Sequence, residues 1–93
     1  MKTPLITLGI PIYNAANLIE RTLLSAFNQT YPNIEYLLID DKGNSMDIVR
    51  RVVAEHPRNK DIYIIDQKYN QGTGAARNAI VSHANGEYLF TMD

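Results

Sequence analysis

Apolar residues along this chain gather in short continuous runs, separated by stretches in which they recur every three or four positions. The runs cover residues 5–10, with Thr7 inside, 34–39, with Glu35 inside, 62–65 and 88–92. Each has the length of a strand, and strands apolar along their whole length belong inside a parallel sheet covered on both faces. Pro11 stops the first run because it has no backbone N–H to continue a ladder, and Asp40 and Asp41 stop the second.

Between the runs the period is helical. Ile19, Leu23, Ala26 and Phe27 share one face of a first helix ending near Gln29, with Asn14 or Asn17 as its cap and Asn17 and Glu20 spaced as a capping box. Ile48, Val49, Val52 and Val53 mark a second helix, capped by Asn44 or Ser45 and closed before Pro57. After a polar, glycine-bearing loop over 67–74, Ala76, Ala79, Ile80 and Ala84 mark a third, with Gly86 placed as a left-handed stop. The order β-α-β-α-β-α-β predicts an α/β fold, a Rossmann-like three-layer α/β/α arrangement on a parallel sheet of four strands.

Composition narrows the class. With 93 residues there is room for one domain, and 45% hydrophobic residues supply a core without the disulfides that zero cysteines exclude. A formal net charge of -1 leaves no basic excess for a nucleic-acid partner. No apolar run approaches the ~20 residues of a membrane span, so the chain by itself reads as cytoplasmic and soluble.

Ligands of open α/β sheets bind beyond the carboxyl ends of the strands, which makes the residues there the candidates for chemistry. They are Pro11, Ile12, Tyr13 and Asn14; Asp40 and Asp41; Asn70, Gln71 and Gly72; and Asp93. Two adjacent carboxylates repel unless hydrogen bonds, a cation or a ligand donor stabilises them. They serve equally well as the start of a turn or a helix cap, and both readings stand at this point. His56 and His83 sit near helix ends, where a basic side chain suits the dipole.

Taken together, several segments carry a resemblance: Ile10-Pro11-Ile12-Tyr13-Asn14, Asn28-Gln29-Thr30-Tyr31, Ile39-Asp40-Asp41, Asn70 and Gly72 before Ala75-Ala76-Arg77-Asn78, and Gly86-Glu87-Tyr88 before a strand ending in Asp93. In this order and spacing the chain resembles the family 2 glycosyltransferases of GT-A fold over nearly its whole length. The resemblance implies that residues 1–93 are the N-terminal, donor-binding part of such a domain, with strands in the order 3-2-1-4. It implies transfer of a sugar from a nucleoside diphosphate, UDP-linked, to an acceptor hydroxyl with inversion. The acceptor, whether glycan, lipid-linked or protein, stays open, and the intact enzyme could associate with a membrane.

Residue by residue, the resemblance makes Asp41 the acceptor of the uracil N3–H and Pro11 and Tyr13 the floor of the nucleoside pocket. Asn14, Asn70 and Gly72 fall in its donor-binding segments, and Asp40 takes a structural part. Asp93 matches the first carboxylate of the DxD motif, near the ribose and a diphosphate-bound divalent cation, Mn²⁺ or Mg²⁺, whose main ligand would follow Asp93. Arg77 either contacts the donor or pairs with Asp41 or Asp93. No catalytic base is expected in these residues, so the 93-residue chain alone would be inactive. The Lys42-Gly43-Asn44-Ser45 turn is shorter than the family's, which puts the rim of the base pocket in question. A noncatalytic nucleotide-binding or receiver-like signalling domain, its paired aspartates holding Mg²⁺, is the alternative. Tyr88-Leu89-Phe90-Thr91-Met92 carries neither charge nor proline, and as an exposed edge it invites self-association.

Overall fold

The computed structural model describes residues 3–12, 16–40, 46–66 and 72–92. Its elements follow the expected order: β1 (Ile6–Pro11), α1 (Ala16–Phe27), β2 (Ile34–Asp40), α2 (Met46–Glu55), a short 3-10 turn (Asn59–Asp61), β3 (Ile62–Asp66), α3 (Gly72–His83) and β4 (Tyr88–Thr91). The strands form one sheet in the order β3-β2-β1-β4, and every pairing is parallel.

Strand alternation divides the core in two. Ile10 of β1 and Ile12 just after it, Tyr36 and Leu38 of β2 and Ile62 of β3 face α1 and α2, where they meet Ile19, Leu23, Ala26, Phe27, Val49 and Val52. Leu37 and Ile39 of β2 face the other way, onto Ala76 and Ile80 of α3. These two clusters make the α/β/α layering, and β2, buried at all seven positions, is its centre. Each fully buried side chain of the size of Leu23 or Phe27 contributes roughly 1.5–3 kcal/mol. Phe27 and Tyr36 also meet edge to face, with centroids 5.1 Å apart, and the Tyr36 hydroxyl donates to the Ala26 carbonyl at 2.8 Å.

The details depart from expectation in instructive ways. Pro11 lies within β1, as its last residue. Ile12 N–H still bonds Ile39 O on the β2 side, at 3.2 Å, while on the β4 side Met92 N–H bonds Gly9 O at 2.9 Å. Neighbouring residues of a strand point their amides to opposite sides, so the missing Pro11 N–H belongs to the next rung toward β4. Proline thus ends one ladder and leaves the other running. Helix α1 starts at Ala16, which puts Asn17 inside the helix and not at its cap; Asn14, Asn44 and Ser45 lie outside the described residues. Helix α3 starts at Gly72, inside the segment expected to be loop, because packing of Ala76 and Ile80 on the sheet outweighs the low helix propensity of glycine at its start.

Gly86 is the clearest correction. It lies three residues beyond the end of α3 and has no left-handed φ. A Cβ there would fall 2.6 Å from both the amide nitrogen and Oγ1 of Thr7, so the glycine serves close approach of the chain to β1.

Candidate functional site

Parallel pairing brings all four carboxyl ends to one edge of the sheet. Pro11 is in register with Ile39, Asp40 with Asp66, and Gly9 with Thr91. Reading across that edge, the chain leaves β3 after Asp66, β2 after Asp40, β1 after Pro11 and β4 after Thr91. The residues next in sequence are Gln67, Asp41, Ile12 followed by Tyr13, and Met92 followed by Asp93. The topology therefore brings to one edge strand ends that lie as far apart in sequence as Pro11 and Thr91.

Of those candidates, Pro11 is buried and forms the end of β1, Gly72 opens α3, and Arg77 lies exposed on α3. Tyr13, Asn14, Asp41, Asn70, Gln71 and Asp93 lie outside the described residues. Asp40 is 4% exposed and takes Arg50 Nη2 on its Oδ2 at 3.0 Å, an ion pair from α2 to the end of β2. That contact agrees with the structural part expected for Asp40. Asp66, level with Asp40 on the neighbouring strand, was not among the sequence candidates. Its signal is the one that drew attention to Asp40, an acid directly after an apolar run.

A second polar cluster occupies the opposite end of the sheet, on the α3 side, and none of it was anticipated. Thr7 and Glu35 are cross-strand partners, 0% and 7% exposed. The Thr7 hydroxyl donates to Glu35 Oε2, which also accepts the Asn85 N–H at 2.6 Å; Oε1 accepts Asn85 Nδ2 at 3.2 Å. Gly86 N–H in turn donates to Thr7 Oγ1 at 2.9 Å. Burial pushes the Glu35 carboxyl up, but the bonds from Thr7, Asn85 and Gly86 outweigh it and hold the group below its ordinary value of 4.5.

A cavity of about 410 Å³ among the described residues belongs to neither end. It is an apolar groove over the β1–β4 face, lined by Ile6, Leu8, Ala26, Ile34, Phe90 and Met92 among others. It has none of the carboxylates of the sheet edge. Among the described residues no cluster of three His, Cys, Asp or Glu could hold a metal ion, and no helix is long and apolar enough to cross a membrane.

Compared with known proteins, residues 7–93 match the family described as Glycosyl transferase family 2. The chain belongs to that family. It is 36% identical over 95 residues to an uncharacterized glycosyltransferase of Haemophilus influenzae, covering 100% of this chain and 37% of the relative. It is 32% identical over 91 residues to the Escherichia coli UDP-Glc:alpha-D-GlcNAc-diphosphoundecaprenol beta-1,3-glucosyltransferase WfaP, covering 96% of this chain and 34% of that protein. Among solved structures, the mannosyltransferase PcManGT from Pyrobaculum calidifontis, in complex with GDP-Man and Mn²⁺, superposes with a TM-score of 0.84 at 29% identity. That match covers 95% of this chain and 26% of the mannosyltransferase. The family 2 chain described here therefore spans about a third or less of the length of these relatives.

Within this glycosyltransferase chain, the Asn28-Gln29-Thr30-Tyr31 segment is structural and far from the carboxyl edge. Tyr31 donates its hydroxyl to the Pro4 carbonyl, and the Arg58 guanidinium bonds the carbonyls of Gln29 and Tyr31 at 2.7 and 3.0 Å. His56 joins the same corner: Nδ1 accepts the Arg58 N–H at 3.1 Å, Nε2 meets Asn28 Oδ1 at 3.2 Å, and the ring lies 5.2 Å from that of Phe27. It is a part of the packing and not a free surface residue. His83, by contrast, bonds the Ala79 carbonyl within its own helix, at 2.8 Å.

Proposed function

We propose that this chain is the donor-binding part of a glycosyltransferase that moves a sugar from a nucleoside diphosphate, UDP-linked, to an acceptor hydroxyl with inversion. The observation that carries the reading is that all four parallel strands of this family 2 chain end at one edge of the sheet. Family membership favours the transferase over the receiver-like alternative.

In this reading Asp41, next after the buried and Arg50-paired Asp40, accepts the uracil N3–H, and Pro11 with Tyr13 forms the floor below the base. Asn14, Asn70, Gly72 and Arg77 line the donor from the β1 and α3 sides. The uridine assignment draws support from the name of the Escherichia coli relative, which uses UDP-Glc, whereas the solved mannosyltransferase holds GDP-Man. A divalent cation, Mn²⁺ in that structure, fits the hard oxygen of Asp93 as one ligand, the rest coming from phosphate and from outside this segment. Bound there, it would offset charge on the departing diphosphate. The acceptor is a glycan or a lipid-linked sugar, the latter in keeping with the GlcNAc-diphosphoundecaprenol in the name of the Escherichia coli relative.

Calorimetric titration with UDP, TDP, GDP and ADP in the presence of Mn²⁺ tests the reading. UDP should bind most tightly. Equal or tighter binding of GDP would overturn the part given to Asp41, and no binding of any of the four would overturn the donor site itself.

A further inference from the structure

Strand β4 poses a problem of register. A hydrophobic pattern specifies register strongly only where one face is buried, and β4 is exposed at all four of its residues. Its rungs to β1 choose little between registers either, since backbone N–H and C=O groups are alike at every residue but Pro11. Contacts made by particular side chains have to choose. Ahead of β4, Thr7, Glu35 and Asn85 hold the chain by side-chain hydrogen bonds, and just beyond it Met92 packs on the main core.

We infer that Thr7 and Glu35 are positioning residues: by clamping the Asn85-Gly86 turn they set the register of β4 on β1, and with it where the chain leaves the strand at Met92, the residue before Asp93 in sequence. The clamp and the first rung are continuous, because Gly86 N–H reaches Thr7 Oγ1 at 2.9 Å and the next amide, that of Glu87, bonds Leu5 O at 2.8 Å. The turn is also shaped to Thr7, whose atoms leave no space for a side chain on Gly86. A slip of one residue would turn Tyr88 and Phe90 to the opposite face. A slip of two would keep the faces but shift the end of β4, which Asp93 follows in sequence, by about 7 Å along the strand direction. The inference rests on the reading of Asp93 as a donor-side carboxylate. It assigns the base-side residues at the ends of β1 and β2 no dependence on the clamp, since those strands are fixed by the buried core.

The test uses Thr7→Val, which keeps the shape and removes the hydroxyl, with Thr7→Ser as the rescue. Glu35→Gln is a second route, because an amide cannot accept from Thr7 and Asn85 on both of its arms. Amide exchange should speed up at Glu87 and Met92 and stay slow across β2. Binding of UDP with Mn²⁺ should weaken roughly tenfold, the low end of the loss when groups that orient metal ligands are removed. Binding of uridine without metal should be unchanged, and Thr7→Ser should restore both readouts. Unchanged protection at Glu87 and Met92 would overturn the inference. So would loss of that protection with UDP–Mn²⁺ affinity intact, or an equal weakening of uridine and UDP–Mn²⁺, which marks general destabilisation. If the unmodified protein bound neither ligand, the nucleotide reading would fall and the positioning role with it, while the exchange data would still decide whether the clamp exists.

Discussion

Gly9 and Ile80 approach so closely that a Cβ on Gly9 would sit 2.4 Å from Ile80 Cγ2 and 2.9 Å from Cγ1. Cδ1, 2.7 Å away, can turn about its own bond, but Cγ1 and Cγ2 branch from the Ile80 Cβ and cannot swing clear together. Ile80 is fully buried, and the missing side chain of Gly9 is what lets α3 settle on β1. Gly9→Ala should therefore destabilise the fold by about 1–3 kcal/mol. Pairing it with Ile80→Ala in a double-mutant cycle should show strong coupling, the second substitution costing much less in the presence of the first. Urea denaturation of the four proteins reads the coupling, and additive effects would show that the contact is relieved elsewhere.

The Glu35 carboxyl gives the fold a dependence on pH. Its folded value lies below the ordinary 4.5, so the contribution is fully present above that value and is lost as pH falls through the folded value. Stability should fall as the pH drops below 4.5 and through the folded value, and the part due to this group should vanish in Glu35→Gln. Denaturation midpoints measured across that range for both proteins check this. An equally steep acid loss in the variant would assign the dependence to other carboxylates.

Much of the architecture was legible because it depends on local pattern: apolar runs against helical spacing locate all four strands and all three helices. What escaped depends on partners remote in sequence. Glu35 read as an interruption in an apolar run, since its ligand Asn85 is 50 residues away. Gly86 read as a helix stop because glycine signals either a positive φ or a lack of space, and only the fold reveals Thr7 beside it. Asp66 was passed over although it follows an apolar run as Asp40 does, and its pairing level with Asp40 comes from the sheet order. The strand-end site was visible as a set of positions, whereas the neighbours of Asp40, such as Arg50, needed the packing of α2.

Asp41→Asn tests recognition of the base. An amide is a weaker acceptor than a carboxylate and can present a donor where uracil also donates, so UDP affinity should fall by about 1.5 kcal/mol or more. Calorimetry on the folded variant measures it, and an unchanged affinity would remove Asp41 from the site.

The edge strand carries a further expectation. Tyr88 and Phe90 are each 56% exposed on β4, whose outer backbone groups face no other strand among the described residues. We propose that copies of the 93-residue chain pair through this edge, most simply as a two-fold dimer. Sedimentation over a concentration series should show association, and Phe90→Lys should shift it toward monomer. A folded monomer at about 0.5 mM, far above the range in which stable dimers separate, would count against pairing.

The central claim, that the nucleotide of the donor binds at the carboxyl edge of the sheet, is tested most directly by amide chemical shifts on titration with UDP and Mn²⁺. The account predicts changes concentrated at Ile12, Asp40, Asp66 and Met92 and in the segments that follow them, with Glu35, Asn85 and Gly86 at the opposite end unmoved. Changes centred on the groove lined by Ile6, Leu8 and Phe90, or on the Glu35 cluster, would contradict it.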